Sequence, residues 1–439
     1  MSNRKELLGK TFVCSCGQTH TVPTQTILYA EDSLERLPSH LESCVQGRRI
    51  VLLADTRTWD IAGEQARQSL EKKGWSCQVL MIPDQDSKSP ICDDNTFDRM
   101  NRCFPKADVA LAVGSGVVCD LTKWLAFEHR IPFSVLATAA TMNGYTSANV
   151  APTIKGVKTL LVAQAPLAVF AVPSIVANAP FELTAAGLGD VIAKPISTAD
   201  WIMNHLYNGE PFCRTCSELI NSLEPYYFDC PEHIRERRPQ AMEALMNALL
   251  YSGIAMTMIG TSAPASGGEH LLSHTLDMMS GMDGGEHDLH GRQVGVGTIL
   301  SAALYEKIFE IQTPQLNSLP TLDRAFWARR LESVSRQYES KVPVTEAMIG
   351  KLQDQDRWRK FLDQCRSLSR TPKQIKQCLQ AAGAAHTYAD IQCSRDRFVD
   401  AVLHMHEIRK RPTVVDLAWM LGILPDAAED IIDQWLTPE

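Results

Sequence analysis

The chain lacks several features that would assign it to whole classes of protein. No apolar run reaches the roughly 20 residues that a membrane-spanning helix needs, so we expect no membrane span. The start, MSNRKELLGKTFVCSC, has no apolar core of the kind found in secretory signal peptides, so we expect a cytoplasmic protein. The net charge is −8 and there is no stripe of basic residues, so we expect no nucleic-acid partner.

Cysteine is not scarce, but its spacing lacks the regularity of a disulfide or zinc-finger framework. The 13 cysteines are scattered, and we interpret most as small buried apolar residues of a reducing compartment. Cys14, Cys16 and His20 (CSCGQTH) are half of a metal site at most, because no second ligand pair follows at zinc-finger spacing. Cys213 and Cys216 (CRTC) follow no thioredoxin-like strand. A structural role is favoured for both groups.

What the sequence does contain is an alternation of strand and helix patterns between residues 50 and 137. The apolar run IVLLA ends at Asp55, and a helical pattern that stops at Gly74 leads to the strand pattern CQVLMI. The order then repeats, with ADVALAV at 107–113, a GSG turn, an amphipathic helical pattern and FSVLA at 133–137. Strands alternating with helices predict a parallel sheet that is covered on both faces.

The character of the sequence changes after NAP at 178–180. From there to Glu439 the patterns are almost entirely helical, so we place a domain boundary near residue 178. With 439 residues, about two to three domains are expected, and the chain is long enough to bury a core without disulfides. The sequence therefore predicts an N-terminal α/β domain over residues 1–178 and an all-α domain over residues 179–439.

Three loops that follow predicted strands favour a dinucleotide site. In GSGVVCDLTK (114–123), glycines allow backbone N–H groups to approach a pyrophosphate at a helix N-terminus, although the full GxGxxG is absent. Asp55 is placed to accept from ribose hydroxyls, which indicates NAD but leaves NADP open. TAATMNGYTSAN (138–149) supplies polar side chains at the end of another strand. Each loop alone is also an ordinary connection; together they favour a ligand crevice.

The segment SGGEHLLSHTLDMMSGMDGGEHDLHGRQVGVG (266–297) holds four of the chain's 12 histidines. An aspartate and two histidines from three helices, with open coordination positions, would hold Zn²⁺, Fe²⁺ or Ni²⁺. Asp190 lies in AAGLGDVIAK, whose glycines allow close packing. For His270 and His290 the metal interpretation and the structural one both stay open, whereas His205 is interpreted as structural.

In their order and spacing, the motifs GSGVVCDLTK, TAATMNGYTS, GLGDVIAKPISTADW, GGEHLLSHTLD and HGRQVGVGT resemble the iron-containing alcohol dehydrogenase superfamily, and most closely its sn-glycerol-1-phosphate dehydrogenases. The resemblance implies a Rossmann-like NAD(P)-binding domain over 1–178, a helical metal- and substrate-binding domain over 179–439, and a dehydroquinate synthase-like fold. It implies NAD(P)-dependent interconversion of dihydroxyacetone phosphate and sn-glycerol 1-phosphate, with one divalent ion (Zn, Ni or Fe). It also implies a homo-oligomer, with a dimer favoured.

Position by position, the resemblance makes Asp190, His270 and His290 the metal ligands. His274, one turn beyond His270, would face the substrate, so Asp190 and His274 are the predicted catalytic residues, and His287 is interpreted as incidental. The predicted dinucleotide contacts are Asp55, Gly114, Ser115, Gly116, Val117, Val118, Thr138, Ala139, Ala140, Thr141 and Ser147.

One departure from the family pattern concerns the substrate. Asn143 stands where the family has an aspartate, which removes a charge but keeps a carbonyl acceptor, and we count it with Asp190 and His274 as a substrate residue. Lys155 and Arg292 are the candidates for binding a phosphate, from sequence position only. The alternatives are another polyol or alcohol dehydrogenase, a cyclase on the same scaffold, or a non-catalytic dinucleotide-binding relative.

Overall fold

The computed structural model describes residues 4, 6–85, 89–285 and 288–438. The strands within them are Thr11–Val13 (β1), Thr19–Thr21 (β2), Thr26–Tyr29 (β3), Arg49–Ala54 (β4), Ser76–Met81 (β5), Val109–Gly114 (β6), Phe133–Ala137 (β7), Asn149–Val150 (β8), Thr153–Ile154 (β9), Val157–Lys158 (β10), Leu161–Val162 (β11) and Ala168–Ala171 (β12). Every strand in this described part of the chain lies before residue 172, in agreement with the predicted change to helices.

Six strands form one parallel sheet in the order β3-β12-β7-β6-β4-β5. Leu52 and Leu53 point to opposite faces of the sheet, and neither is exposed to solvent. Both faces are therefore covered, which explains why β4, β6 and β7 consist of almost unbroken apolar runs. The predicted parallel sheet is confirmed, and the run FSVLA is a strand with the bounds that the pattern gives.

The course of the chain through this sheet reverses at β4. The neighbours of β4 are β5 on one side and β6 on the other, and the connections that leave β4 and β6 therefore diverge. In open sheets of parallel strands, ligands bind beyond the carboxyl ends of the strands where the order reverses. The loops after β4 and β6 are thus the natural place for a ligand in this unit.

The α-helices of the described residues lie between the strands and throughout the chain after β12. They are Ser33–Cys44 (α1), Thr56–Thr58 (α2), Glu64–Lys72 (α3), Asp94–Arg102 (α4), Gly116–Glu128 (α5), Pro173–Asn178 (α6), Phe181–Ile192 (α7), Lys194–Asn208 (α8), Arg214–Asn221 (α9), Pro225–Phe228 (α10), Glu232–Arg235 (α11), Pro239–Ile259 (α12), Gly268–Asp283 (α13), His290–Phe309 (α14), Arg324–Trp327 (α15), Leu331–Leu352 (α16), Gln355–Leu368 (α17), Pro372–Ala382 (α18), Arg395–His404 (α19), Val414–Met420 (α20) and Ala428–Trp435 (α21). A π-helical turn, Trp59–Gly63, joins α2 to α3.

The chain divides into two compact units that are interleaved along the sequence. The first unit comprises Met1–Gly187 and Glu218–Thr261, and the second comprises Leu188–Ser217 and Ser262–Glu439. This division differs from the predicted one at residue 178, because the long apolar helix α12 packs with the sheet-containing unit, against α6. Apolar helical sequence alone does not say which core a helix joins.

Helix α12 also has the length and apolar composition of a membrane-crossing helix. Of its most apolar window, 78% is buried inside the protein. A core helix of a globular unit passes the same length and composition test, and burial on this scale is what such a helix shows.

Candidate active site

The second unit brings Asp190, His270 and His290 together. Each offers one ligand atom, and these atoms all lie within 4.8 Å of one another. The three residues come from α7, α13 and α14, so no single stretch of sequence contains the cluster. Asp190 and His270 are buried and His290 is half-buried. One carboxylate and two imidazoles are a donor set that suits a divalent transition metal.

Close backbone contact between helices makes this convergence possible. A Cβ atom on Gly297 would lie 2.5 Å from the carbonyl oxygen of Glu269, so α14 and α13 pack at a distance that only glycine allows. His270 and His290 lie on these two helices, and their ring centroids are 5.1 Å apart. The absence of a side chain at Gly297 therefore helps to bring the two histidine-bearing helices together.

Hydrogen bonds fix the orientation of both imidazoles. The Nδ1–H of His270 donates to Oε1 of Glu269 over 2.8 Å, and its Nε2 lies 3.7 Å from Oδ1 of Asp190. Ser273 Oγ donates to Gln293 Oε1 at 2.8 Å, so this hydroxyl accepts from His290 Nδ1, also at 2.8 Å. Holding Nδ1 in this way assigns Nε2 as the candidate ligand atom, which is the arrangement that metal-binding histidines use.

The electrostatics of the cluster favour a neutral His270. Burial lowers the pKa of His270 to about 3, and the Lys194 ammonium group adds to this effect. The ring is therefore neutral near pH 7, with a lone pair for a cation. Lys194 Nζ donates to Asp190 Oδ1 at 3.2 Å and to the carbonyl of Ala265 at 2.9 Å, so the aspartate is held in place. Burial also raises the pKa of Glu269 to about 7. The residues present fit a bound divalent metal.

His274 lies beside the cluster and has a partner that the sequence did not indicate. Its ring centroid is 5.5 Å from that of His290, and Arg409 Nη2 donates to its Nε2 over 2.8 Å. Arg409 is half-buried in the segment after α19 and has a positive φ of 60°. The sequence around Arg409 does not indicate this contact, because 135 residues separate Arg409 from His274.

The two phosphate candidates from the sequence differ in their surroundings. The Arg292 guanidinium donates to Asp288 Oδ1 at 2.9 Å, so its charge already has a partner. Lys155 is exposed in the β9–β10 turn, where its backbone N–H donates to Asp94. Arg409, in contrast, bonds directly to a histidine of the candidate site.

In the first unit, the predicted dinucleotide residues lie at the carboxyl ends of three neighbouring strands. Asp55 follows β4, Gly114 ends β6 and Thr138 follows β7. The amide of Thr138 donates to the carbonyl of Gly114 at 3.3 Å, which links two of the loops. The others lie in the same two loops or at the start of α5: Ser115, Gly116, Val117, Val118, Ala139, Ala140, Thr141 and Ser147.

Asp55 also has a local structural role that the sequence analysis missed. Its Oδ1 accepts from the Thr58 amide at 2.8 Å, which caps α2, and its Oδ2 pairs with Arg57 at 3.2 Å. The DTRT spacing is a recognisable capping signal. The ribose role of Asp55 stays a prediction.

The polar loop after β7 is held by a buried lysine. Lys123 Nζ donates to the carbonyls of Gly144 and Asn149, both at 2.8 Å. The half-buried Asn143 lies in this loop, and its carbonyl oxygen would be 2.5 Å from a Cβ atom on Gly253. Lys123 and the close approach to α12 thus fix the loop that contains Asn143, the residue that differs from the family pattern.

Two further histidines, His205 and His287, were not predicted to bind a metal or the substrate. His205 is exposed, and its Nδ1–H donates to the carbonyl of Glu210 at 2.8 Å, in keeping with a structural role. His287 lies outside the described residues.

Comparisons with known proteins agree with this architecture. A family model described as iron-containing alcohol dehydrogenase matches residues 28–180. The glycerol-1-phosphate dehydrogenase (NAD(P)+) of Geobacillus stearothermophilus is 32% identical over 328 residues, which cover 74% of this chain and 81% of that protein. The protein of the same name from Geobacillus thermodenitrificans strain NG80-2 is 33% identical over 319 residues, covering 72% and 78%.

A solved structure supports the fold independently. The probable glycerol dehydrogenase of Sinorhizobium meliloti 1021 matches with a TM-score of 0.60 at 15% identity, covering 94% of this chain and 96% of that one. The resemblance and the fold class that the sequence motifs indicated are therefore confirmed. The chain belongs to the glycerol-1-phosphate dehydrogenases of the iron-containing alcohol dehydrogenase superfamily, and it is an oxidoreductase.

Proposed function

We propose that this protein catalyses the reversible, metal-dependent reduction of dihydroxyacetone phosphate to sn-glycerol 1-phosphate with NADH or NADPH. The observation that carries the proposal is the convergence of Asp190, His270 and His290 within 4.8 Å. The names of the relatives, which state both the substrate and the cofactor, support it. We further propose that the protein is a cytoplasmic homodimer. Light scattering after gel filtration tests the dimer by measuring its molar mass.

The proposed metal site uses Asp190, His270 and His290 as ligands, for zinc, nickel or iron. A bound divalent cation would supply Lewis-acid polarisation of a substrate carbonyl. Glu269 and Ser273 keep the two rings oriented through their Nδ1 atoms, and Lys194 holds the carboxylate. These contacts fix the ligand set in place without a large rearrangement on binding.

The proposed dinucleotide site lies at the carboxyl ends of β4, β6 and β7. A bound nicotinamide cofactor would supply or accept the hydride. The Gly114–Val118 turn would offer backbone N–H groups at a helix N-terminus to a pyrophosphate. A Cβ atom on Gly114 would lie 2.8 Å from Val118, so this turn requires a glycine. Asp55 would accept a hydrogen bond from a ribose hydroxyl of this cofactor, and the loop with Thr138 and Thr141 would contribute to the same site. In the loop after β7, the Asn143 amide bonds a substrate hydroxyl.

His274 is the proposed proton donor. Because its Nε2 accepts from Arg409, a neutral His274 carries its proton at Nδ1. On reduction Nδ1 would give this proton to the substrate oxygen, and the same nitrogen would accept it in the reverse direction. His274 therefore serves the substrate, and the metal ligands are the other two histidines.

Arg409 is the proposed phosphate-binding cation. A guanidinium group has five N–H donors, and the bond to His274 uses one of them. The remaining donors suit a phosphate, for which arginine is the preferred partner. The phosphate of the substrate would then lie next to His274, the proposed proton donor.

The test is an NADH-oxidation assay with dihydroxyacetone phosphate on the protein as purified, after chelation, and after adding back zinc, nickel or iron. We expect turnover that is lost on chelation and restored by metal, with sn-glycerol 1-phosphate as the enantiomer formed. NADPH is assayed in parallel. Binding of NADH without turnover of any polyol phosphate or small carbonyl compound would contradict the proposal, as would product formation without net consumption of NADH.

A further inference from the structure

The first unit contains a second cluster of metal-ligating side chains, formed by Cys14, Cys16 and His20. The strands β1 and β2 pair antiparallel, with Val13 opposite Thr19, and the two cysteines lie in the connection between them. His20 lies in β2. The donor atoms of the three side chains lie within 4.8 Å of one another, and Cys16 Sγ is 3.3 Å from His20 Nε2.

The turn itself brings the thiols towards the histidine. The Cys14 amide donates to the carbonyl of Gln18 at 2.9 Å, and the Gly17 amide donates to the carbonyl of Cys14 at 3.0 Å. Gly17 has a φ of +82°, which residues with a side chain rarely adopt. The CSCG sequence thus makes a tight turn that is held by backbone hydrogen bonds.

The imidazole of His20 is oriented from its other side. Its Nδ1–H donates to the carbonyl of Met258 over 2.9 Å, and only 2% of the residue is exposed. Met258 belongs to the last turn of α12, where backbone carbonyls have no partner within the helix. With Nδ1 fixed as the donor, Nε2 directs its lone pair towards Cys16. Metal-binding histidines commonly have their second ring nitrogen held in this way, so the orientation of His20 is compatible with a ligand role.

We propose that Cys14, Cys16 and His20 form a structural zinc site, separate from the Asp190 cluster. The two thiols release their protons to solvent as the ion binds, and two thiolates with one imidazole supply three of the four ligands of tetrahedral zinc. Sulfur donors select zinc over the harder metals that an aspartate accepts. The ion links the β1–β2 hairpin, through His20, to the end of α12.

The structural consequence of this site is local. The hairpin is short, with three residues in each strand, and a two-stranded hairpin of this kind is marginally stable alone. A zinc ion that joins the turn to His20 in β2 would restrict the conformational freedom of the β1–β2 connection. The site takes no part in the proposed reaction, so activity is not its readout.

The test uses the variant Asp190→Asn with His270→Ala, which removes two ligands of the other site. We expect this protein to retain one zinc per chain by plasma mass spectrometry, with at least two sulfur ligands by X-ray absorption. Replacing zinc with cobalt should give thiolate-to-cobalt charge-transfer absorption in the near ultraviolet. Adding Cys14→Ser or Cys16→Ser should abolish the zinc content and the absorption, whereas the control Cys44→Ser, in α1, should keep both.

Far-ultraviolet circular dichroism checks that each variant is folded. If a serine variant does not fold, the sulfur ligation of the protein with intact cysteines still decides the matter, because it needs no cysteine substitution. The proposal is overturned if the zinc bound to the wild type has only nitrogen and oxygen ligands. It is equally overturned if Cys16→Ser leaves the zinc content and the cobalt spectrum unchanged. Neither result bears on whether the protein reduces dihydroxyacetone phosphate.

Discussion

Gly189 and Gly291 lie in direct backbone contact: a Cβ atom on Gly189 would be 2.0 Å from the carbonyl oxygen of Gly291. Each glycine is the immediate neighbour of a proposed metal ligand, Asp190 in α7 and His290 in α14. The distance between these helices, and with it the distance between the two ligands, therefore depends on the absence of a side chain at Gly189. Three predictions test how this cluster and its surroundings work, and a fourth concerns the stability of the fold.

Gly189→Ala should separate α7 from α14, because the added methyl group meets backbone atoms that cannot rotate away. We expect the free energy of unfolding in urea to fall by about 1–3 kcal/mol, as in overpacked cores. Zinc affinity measured by competition with a chelator should fall by about tenfold or more, since the ligands move apart. The matched control is Gly350→Ala, a helical glycine of the same unit with nothing within 4 Å of the added atom. An unchanged zinc affinity in Gly189→Ala would contradict the interpretation.

Ser273→Ala should weaken metal binding through His290 without removing a ligand. The hydroxyl accepts from His290 Nδ1 at 2.8 Å, so its loss leaves the ring free to turn. We expect metal affinity to fall by about 10–100-fold, while kcat at saturating metal recovers to near the wild-type value. Titration of the chelated protein with zinc measures both quantities. A kcat that stays low at saturating metal would assign the serine a different role.

Arg409→Ala should discriminate between phosphorylated and unphosphorylated substrates. If Arg409 binds the phosphate, kcat/KM for dihydroxyacetone phosphate should fall by about 10–100-fold, the range expected for a charge-assisted hydrogen bond. Activity with dihydroxyacetone should fall by a smaller factor, because this substrate loses only the bond that orients His274 and has no phosphate to lose. Arg395→Ala, which removes an arginine paired with Glu429 and Asp433 in an exposed region, is the control and should affect neither substrate. Equal losses with both substrates would contradict the phosphate role.

His406 predicts a dependence of stability on pH. Burial lowers the pKa of His406 from 6.5 to about 3 in the folded protein, and the Lys341 ammonium group adds to this. The unfolded chain therefore takes up a proton below pH 6.5 that the folded protein cannot hold. The contribution of His406 to the free energy of unfolding is fully present above pH 6.5. It declines as the pH falls towards 3, by up to about 1.4 kcal/mol per pH unit.

Urea unfolding of the wild type and of His406→Asn between pH 8 and pH 5 measures this effect. The difference in unfolding free energy between the two proteins should be constant above pH 7 and should shrink as the pH falls below 6.5. A constant difference across the whole range would show that His406 does not contribute to acid sensitivity.

Much of the sheet was determined by local sequence. Phe133–Ala137 was predicted with its bounds, because a parallel strand covered on both faces requires an unbroken apolar run. The strands Thr26–Tyr29 and Ala168–Ala171 were missed, since four residues carry too little pattern. The role of Asp55 as a helix cap is predictable from its three-residue spacing to Thr58, because this spacing places the carboxylate next to the Thr58 amide.

The sequence by itself determined the alternation of strands and helices, the motifs that identify the family, and the residue types available for a metal. The tertiary structure alone decided which of those residues meet. Asp190 and His290 are 100 positions apart, and their approach depends on a backbone contact between two helices that no local pattern encodes. Likewise, Arg409 reaches His274, and helix α12 joins the sheet-containing unit, through packing between distant segments. Local propensity acts over a few residues, whereas the contact of two glycines across a core is settled only when the whole unit packs.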